Sequence, residues 1–183
     1  MRKITGFTLF ELVITMGIAA ILAAIAIPSY RYVTNANRVA SEDNALLGDL
    51  QFARAEAIKE GRTVTVCVSA DGATCAGTYT WNSGWIVFSD LNNDQTPTDA
   101  GDTILRKQAP FTGTDTFTAS NSVPFITFNR EGFATNITNG TLVTLHTAPL
   151  NNNATRCLSI TLVGMMTILT HGSTDPTNST TCT

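Results

Sequence analysis

Charge is scarce in this sequence, and histidine scarcer still. Of 183 residues, 14% are Asp, Glu, Lys or Arg, and only His146 and His171 are histidine. Lys and Arg number 11 against 14 Asp and Glu, a formal charge of -3. With no overall basic field, generic nucleic-acid binding is disfavoured. Two histidines so far apart argue against an imidazole-based metal or acid–base site. No Gly-rich phosphate loop and no Ser/His/Asp or Cys/His set is present, so a membrane-anchored hydrolase, the enzymatic reading, has no catalytic residues to build on. The apolar content of 43% excludes a disordered acidic tail, and the length fits one domain with an appendage.

The apolar residues are unevenly placed. Phe7 to Ile27 reads FTLFELVITMGIAAILAAIAI, 21 residues with one charge, Glu11. At ~1.5 Å per residue, ~20 apolar residues cross a bilayer core of ~30 Å. Arg2 and Lys3 precede the run, and Arg31 and Arg38 follow it. A secretory signal peptide fits badly, because a carboxylate sits near the start of the run and helix-compatible sequence continues past its end. An ionisable group inside a membrane span is costly and marks function by default.

The basic leader, then Gly6-Phe7-Thr8-Leu9-Phe10-Glu11-Leu12, the apolar stretch and Pro28, resembles the class III (prepilin-type) signal. The resemblance implies that prepilin peptidase cuts between Gly6 and Phe7, that Phe7 is N-methylated, and that the apolar segment is retained. Glu11 then becomes the fifth residue of the mature chain. Its carboxylate could meet the new amine of Phe7 one helical turn away, or the amine of a neighbouring subunit. The resemblance implies the second pairing, which would align an incoming subunit during assembly.

Beyond Pro28, where a kink is expected, helix character resumes. Val39, Leu46, Leu50, Ala53 and Ala57 step by 7, 4, 3 and 4 along one face. Glu42, Asp43, Asp49, Arg54, Glu56 and Lys59 are expected largely off that face, with a stop at Glu60-Gly61. After Gly61 the pattern becomes that of strands: Thr63–Val68, Gly84–Phe88, Thr103–Leu105, Phe125–Phe128, Thr141–His146, Cys157–Leu162 and Met165–Thr170. A long helix followed by short strands predicts an α+β fold with antiparallel pairing, in two small sheets.

Leu50 to Lys59, then Thr63 to Cys67, then Gly84-Trp85-Ile86-Val87-Phe88-Ser89-Asp90 resemble the GspH/FimT group of minor pilins and pseudopilins. This implies a pilin-like fold: a long N-terminal transmembrane helix packed on an antiparallel β-sheet head. The expected organisation is a leader over 1–6, a long helix over 7–61 with its membrane-spanning part over 7–27, and a periplasmic head over 62–183.

All four cysteines, Cys67, Cys75, Cys157 and Cys182, lie beyond the anchor, and an even count there points to disulfides. Of three pairings, Cys67–Cys75 with Cys157–Cys182 is favoured: the first closes a loop around the turn signal Asp71-Gly72, and the second staples the Ser- and Thr-rich tail. A four-cysteine zinc site lacks C-x2-C spacing. Asp90, Asn92 and Asp94 stand where a calcium loop would begin, with Asp99 and Asp102 following. Gln95 replaces the usual sixth-position Gly and Gly101 the twelfth-position Glu, so an Asx-rich hairpin loop competes with calcium. Trp81 and Trp85 read as core and rim, and Met165-Met166 as core. The Asn-x-Ser/Thr triplets at Asn136, Asn139, Asn153 and Asn178 follow from an Asn- and Thr-rich composition.

The expected function is a non-enzymatic filament subunit without cofactor, a minor pilin or pseudopilin of a type IV pilus or type II secretion apparatus. Its expected partners are prepilin peptidase, other minor and major pilins or pseudopilins, and the bacterial inner membrane. The alternative is a DNA-binding minor pilin for natural transformation. FimT-like DNA binders carry C-terminal arginines, whereas Gly164 here precedes Met165-Met166-Thr167. From Thr63 onward, 4 Lys+Arg face 8 Asp+Glu. Only a convergence of Arg106-Lys107, Arg130 and Arg156 would favour DNA.

Overall fold

The computed structural model describes residues 7–176 and 179–183. Helix α1 spans Leu9–Glu60 and continues through Pro28 without a break. Gly61 ends it with φ 68°, and its amide returns to the Ala57 carbonyl at 3.0 Å. Only glycine adopts that left-handed conformation freely.

Among the described residues eight strands follow: β1 (Val64–Val68), β2 (Trp85–Ser89), β3 (Thr103–Gln108), β4 (Thr116–Ala119), β5 (Phe125–Phe128), β6 (Thr141–His146), β7 (Arg156–Ile160) and β8 (Met166–Thr170). They form two antiparallel sheets of four, ordered β3-β2-β1-β5 and β4-β6-β7-β8. The strand that periodicity did not reveal is β4, Thr-Phe-Thr-Ala, whose one large apolar residue, Phe117, gives too short a pattern to read.

The chain divides into two units, Met1–Asn37 and Arg38–Thr183. The second takes in the C-terminal part of α1 as well as the strands. There Val39, Leu46, Leu50, Ala53 and Ala57 join one core with Val64, Val66 and Val87 of the first sheet and Phe117, Val143, Leu145 and Leu158 of the second. Trp81 and Trp85 are both fully buried in this core, and their ring centroids lie 6.4 Å apart. Strand alternation sends Cys67, Ile86 and Phe88 to the opposite face of the first sheet, and Leu142 and Cys157 to the opposite face of the second.

Two acidic residues break the expected helix face. Glu42 and Asp43 are buried, Asp43 completely. Glu42 apart, the buried positions step 39, 43, 46, 50, 53, 57, by alternating fours and threes. Asp43 therefore occupies the stripe itself, in the place that the seven-residue gap between Val39 and Leu46 left open. Neither Asp43 oxygen has a hydrogen-bond partner among the described residues.

Burial, partly offset by the Arg156 charge, pushes Asp43 up to about 6 from an ordinary 3.8. An acid raised on folding leaves the fold at full stability below the unfolded pKa and weakens it as pH climbs through the folded one. At 1.36 kcal/mol per unit, the loss between pH 3 and 7.5 is roughly 3 kcal/mol. Asp43→Asn should remove this dependence. In denaturant titrations its stability relative to the unaltered chain should improve by up to about 3 kcal/mol across that interval.

Candidate functional site

The N-terminal segment is built on a helix cap. Phe7 and Thr8 precede α1, and the Thr8 hydroxyl accepts a hydrogen bond from the Glu11 amide at 3.2 Å. Thr8 is thus the N-cap and Glu11 the third helical residue, the spacing of a capping box. A carboxylate there also faces the positive end of the helix dipole. The sequence reading missed this local role, although Thr-x-x-Glu was visible. Gly6 and the rest of the expected leader lie outside the described residues.

From Phe7 to Thr34 every residue is exposed. Phe7, Leu9 and Phe10 are 79%, 83% and 74% exposed. This stretch of α1 is long and apolar enough to cross a membrane, and none of it is buried within the chain. Apolar surface on that scale requires a covering medium or partner.

The structure joins Cys67 to Cys75 and Cys157 to Cys182, with Cα atoms 5.6 and 5.7 Å apart. Each bridge ties a strand to the loop covering the outer face of its own sheet. Inside the first loop, Asp71 accepts hydrogen bonds from the Ala73 and Thr74 amides, the Thr74 hydroxyl and Ser69. The Thr74 and Ala73 amides lead in holding its pKa far below the ordinary range. At the second bridge, Ser159 of β7 also donates to Asp175 of the tail.

The acidic loop gathers a different trio from the one expected. Oxygens of Asp90, Asp94 and Asp102 lie within 4.8 Å of one another. Asn92 instead points its amide nitrogen at Asp94 and Asp99, at 2.9 and 2.7 Å. Asp90 is fully buried and accepts from the Thr65 hydroxyl at 2.8 Å and from the Asp94 and Gln95 amides. Gln95, where a calcium loop carries Gly, takes φ 64°, so the turn forms without glycine. Asp102 stands one residue past Gly101 and accepts from the Leu91 amide. Chain donors thus organise the loop, as in an Asx-rich connection.

The three arginines considered for DNA are engaged locally. Arg106 bonds Asp49 at 2.9 Å and lies over the Phe52 ring at 3.8 Å, while Asp49 also accepts from the Trp85 indole. Arg130 pairs with Glu131. Arg156 donates to the Asn153 and Thr155 carbonyls. Around Gly164, Met166 is partly buried but Met165 is 58% exposed, contrary to its expected core place. Arg54 of α1 donates to the Gly132 carbonyl at 2.9 Å and the Val163 carbonyl at 3.2 Å. Asn136 is structural: it accepts from the Thr127 amide and donates to the Phe125 carbonyl. Asn178 lies outside the described residues.

With this geometry in place, two family models match. The model described as "Type II transport protein GspH" covers residues 43–164. The chain belongs to the GspH family. The prokaryotic N-terminal methylation motif matches residues 1–27. Among solved structures, the chain is similar to the Pseudomonas aeruginosa type IV minor pilin FimU in two crystal forms. The first has TM-score 0.58 and 22% identity, over 73% of this chain and 89% of that one. The second has TM-score 0.55 and 22% identity, over 70% and 90%. At that identity the likeness shows the pilin-like fold. The Vibrio cholerae minor pseudopilin EpsH of the type 2 secretion system aligns at TM-score 0.43 and 12% identity, over 70% of this chain and 93% of that one. No curated protein sequence matches.

Two variants probe the features that organise this GspH-family head. A Cβ at Gly164 would meet the Gly132 carbonyl oxygen and lie 2.7 Å from Arg54 Nε. With φ at 74° already unfavourable to side chains, Gly164→Ala should cost about 1–3 kcal/mol in chemical denaturation. Replacing Cys157 and Cys182 together by Ser should cost about 2–4 kcal/mol and open the tail to limited proteolysis.

Proposed function

We propose that the protein is a non-enzymatic structural subunit, a minor pilin or pseudopilin of a type IV pilus or type II secretion filament. The observation that carries this reading is the union of an N-terminal methylation motif and an exposed apolar helical segment with a GspH-family head in one chain. In this reading residues 1–6 are a leader, 7–61 the long helix with its membrane part over 7–27, and 62–183 the periplasmic head. The precursor crosses the bacterial inner membrane once, and Tyr30, Arg31 and Tyr32 sit where an aromatic and basic interfacial belt would be. Prepilin peptidase removes the leader after Gly6, and the new amine of Phe7 is methylated.

Assembly transfers the apolar helix from lipid to the helices of other pilins or pseudopilins. It stays covered throughout, so extraction does not expose it to water. Glu11 pairs with a neighbour's N-terminal amine and sets the register of the incoming subunit. An unpaired carboxylate in an apolar bundle is costly, so misregistered subunits are disfavoured. The DNA-binding reading gains nothing from the structure, since Arg106, Arg130 and Arg156 each hold local partners.

Immunoblotting of membrane and sheared-filament fractions tests the assignment. Glu11→Ala should be processed normally yet fall at least tenfold in the filament fraction; normal incorporation would refute the alignment role. Gly6→Leu should accumulate as the longer precursor.

A further inference from the structure

Beside the helix lies a groove that the assembly reading does not use. It has a volume of about 420 Å³ and runs between α1 and the segment joining β3 to β4. Its lining includes Arg38, Glu42, Gln108, Pro110, Phe111 and Thr112. Arg38 is already committed: its guanidinium makes a two-pronged ion pair with the buried Asp115 at 2.7 and 2.8 Å. Asp115 also accepts from the Ala148 amide at 2.9 Å.

Glu42 has no such answer. It is only 8% exposed, and its Oε2 is sealed from solvent with no hydrogen-bond partner among the described residues. Arg38, Glu42 and Asp115 together bring one cation against two carboxyl groups, and the hydrogen bonds of that cation go to Asp115. Burial, with the Asp115 charge, raises the pKa of Glu42 above its ordinary value. A carboxylate in that setting is stabilised by a cation delivered to it.

The walls suit a long cationic side chain. Pro110 and Phe111 offer apolar surface for an aliphatic stem, while Gln108 and Thr112 offer polar groups near a charged end. Phe111 is held in place: its ring meets Trp85 edge-on at 5.6 Å, and its amide donates to the Asn82 carbonyl. The wall is therefore formed before any partner arrives. The strands and loops from Thr63 onward carry 4 Lys+Arg against 8 Asp+Glu, so a second copy of this chain brings unfavourable charge overall.

We propose that this groove receives an arginine or lysine side chain from a different, basic-faced neighbouring subunit, with Glu42 as its counter-charge. The inference rests on the filament-subunit reading for the identity of the neighbour, but the chemistry of the groove can be tested without a filament.

In the first experiment, the full chain in detergent micelles is melted with 50 mM N-acetyl-arginine methylamide or its neutral citrulline analogue. The arginine probe should raise Tm by about 2–4 °C relative to citrulline, as expected for a weak ligand at several times its Kd. Glu42→Gln, close in shape and uncharged, should abolish the difference. Equal protection by both probes, or an undiminished difference in Glu42→Gln, would overturn the proposal.

In the second, a photo-crosslinker at the exposed position 112 is activated in cells. Mass spectrometry should place the adduct within a few residues of a Lys or Arg in another subunit, with at least fivefold lower yield in Glu42→Gln. Adducts to a second copy of this chain, or to a segment without Lys or Arg, would overturn the choice of partner. Failure to incorporate the unaltered chain into any filament would count against the filament reading, and leaves the micelle result to decide the chemistry of the groove.

Discussion

Everything in the Arg38–Thr183 unit depends on one buried seam. The stripe of α1 from Val39 to Ala57 contributes side chains to a core shared by two separate sheets. Among the described residues, no hydrogen-bonded ladder links those sheets into one. A four-stranded sheet with one apolar face needs a cover, and two such sheets need a common one. The helix supplies it, and polar links reinforce the seam: Asp49 to Trp85 and Arg106, Arg38 to Asp115, and Arg54 to two loop carbonyls. The same helix carries, nearer its N-terminus, a long apolar stretch that no part of the chain covers. Residues of one helix thus face two different demands, burial in a protein core after Arg38 and cover from outside the chain before it.

The outer faces of the sheets are closed by other means. Each has a small apolar cluster containing a disulfide: Cys67 and Cys75 with Ile86 and Phe88 on one, Cys157 and Cys182 with Leu142 and Leu169 on the other. Loops with little apolar content are held there by covalent bridges and local hydrogen bonds. This allows a Thr- and Asn-rich sequence to form two-faced sheets without a second layer of helices. In β1 and β2, accordingly, both faces are buried.

Much of the architecture was nevertheless legible in the residues. The apolar run, the Gly61 stop and most strands follow from period and punctuation. The misses have specific causes. Strand β4 is short and mostly Thr, with pairing to β6 rather than its own pattern defining it. Asp43 was assigned to the polar face because residue type was allowed to outweigh position, yet its spacing from Val39 and Leu46 placed it on the stripe. Asp102 joined Asp90 and Asp94 through chain folding over a loop whose path no linear spacing specifies. Reading Glu11 for its charge in a membrane span hides the simpler local fact that Thr8 and Glu11 sit at a helix cap. Glu42 gave no sequence signal at all, since its isolation depends on Asp115, a residue far along the chain, having taken Arg38.

The cap at Thr8 has a consequence for how the chain is recognised as a substrate. Proteases bind backbone that is drawn out, because a helix hides its amides and carbonyls in its own ladder. Helix begins only at Leu9, and Phe7 and Thr8 are not helical. In the proposed precursor, the scissile bond therefore sits just ahead of the point at which the hydroxyl of Thr8 fixes the first turn. The cap acts as a boundary marker: the helix beyond it is protected by its own hydrogen bonds, while Phe7 ahead of it is left readable.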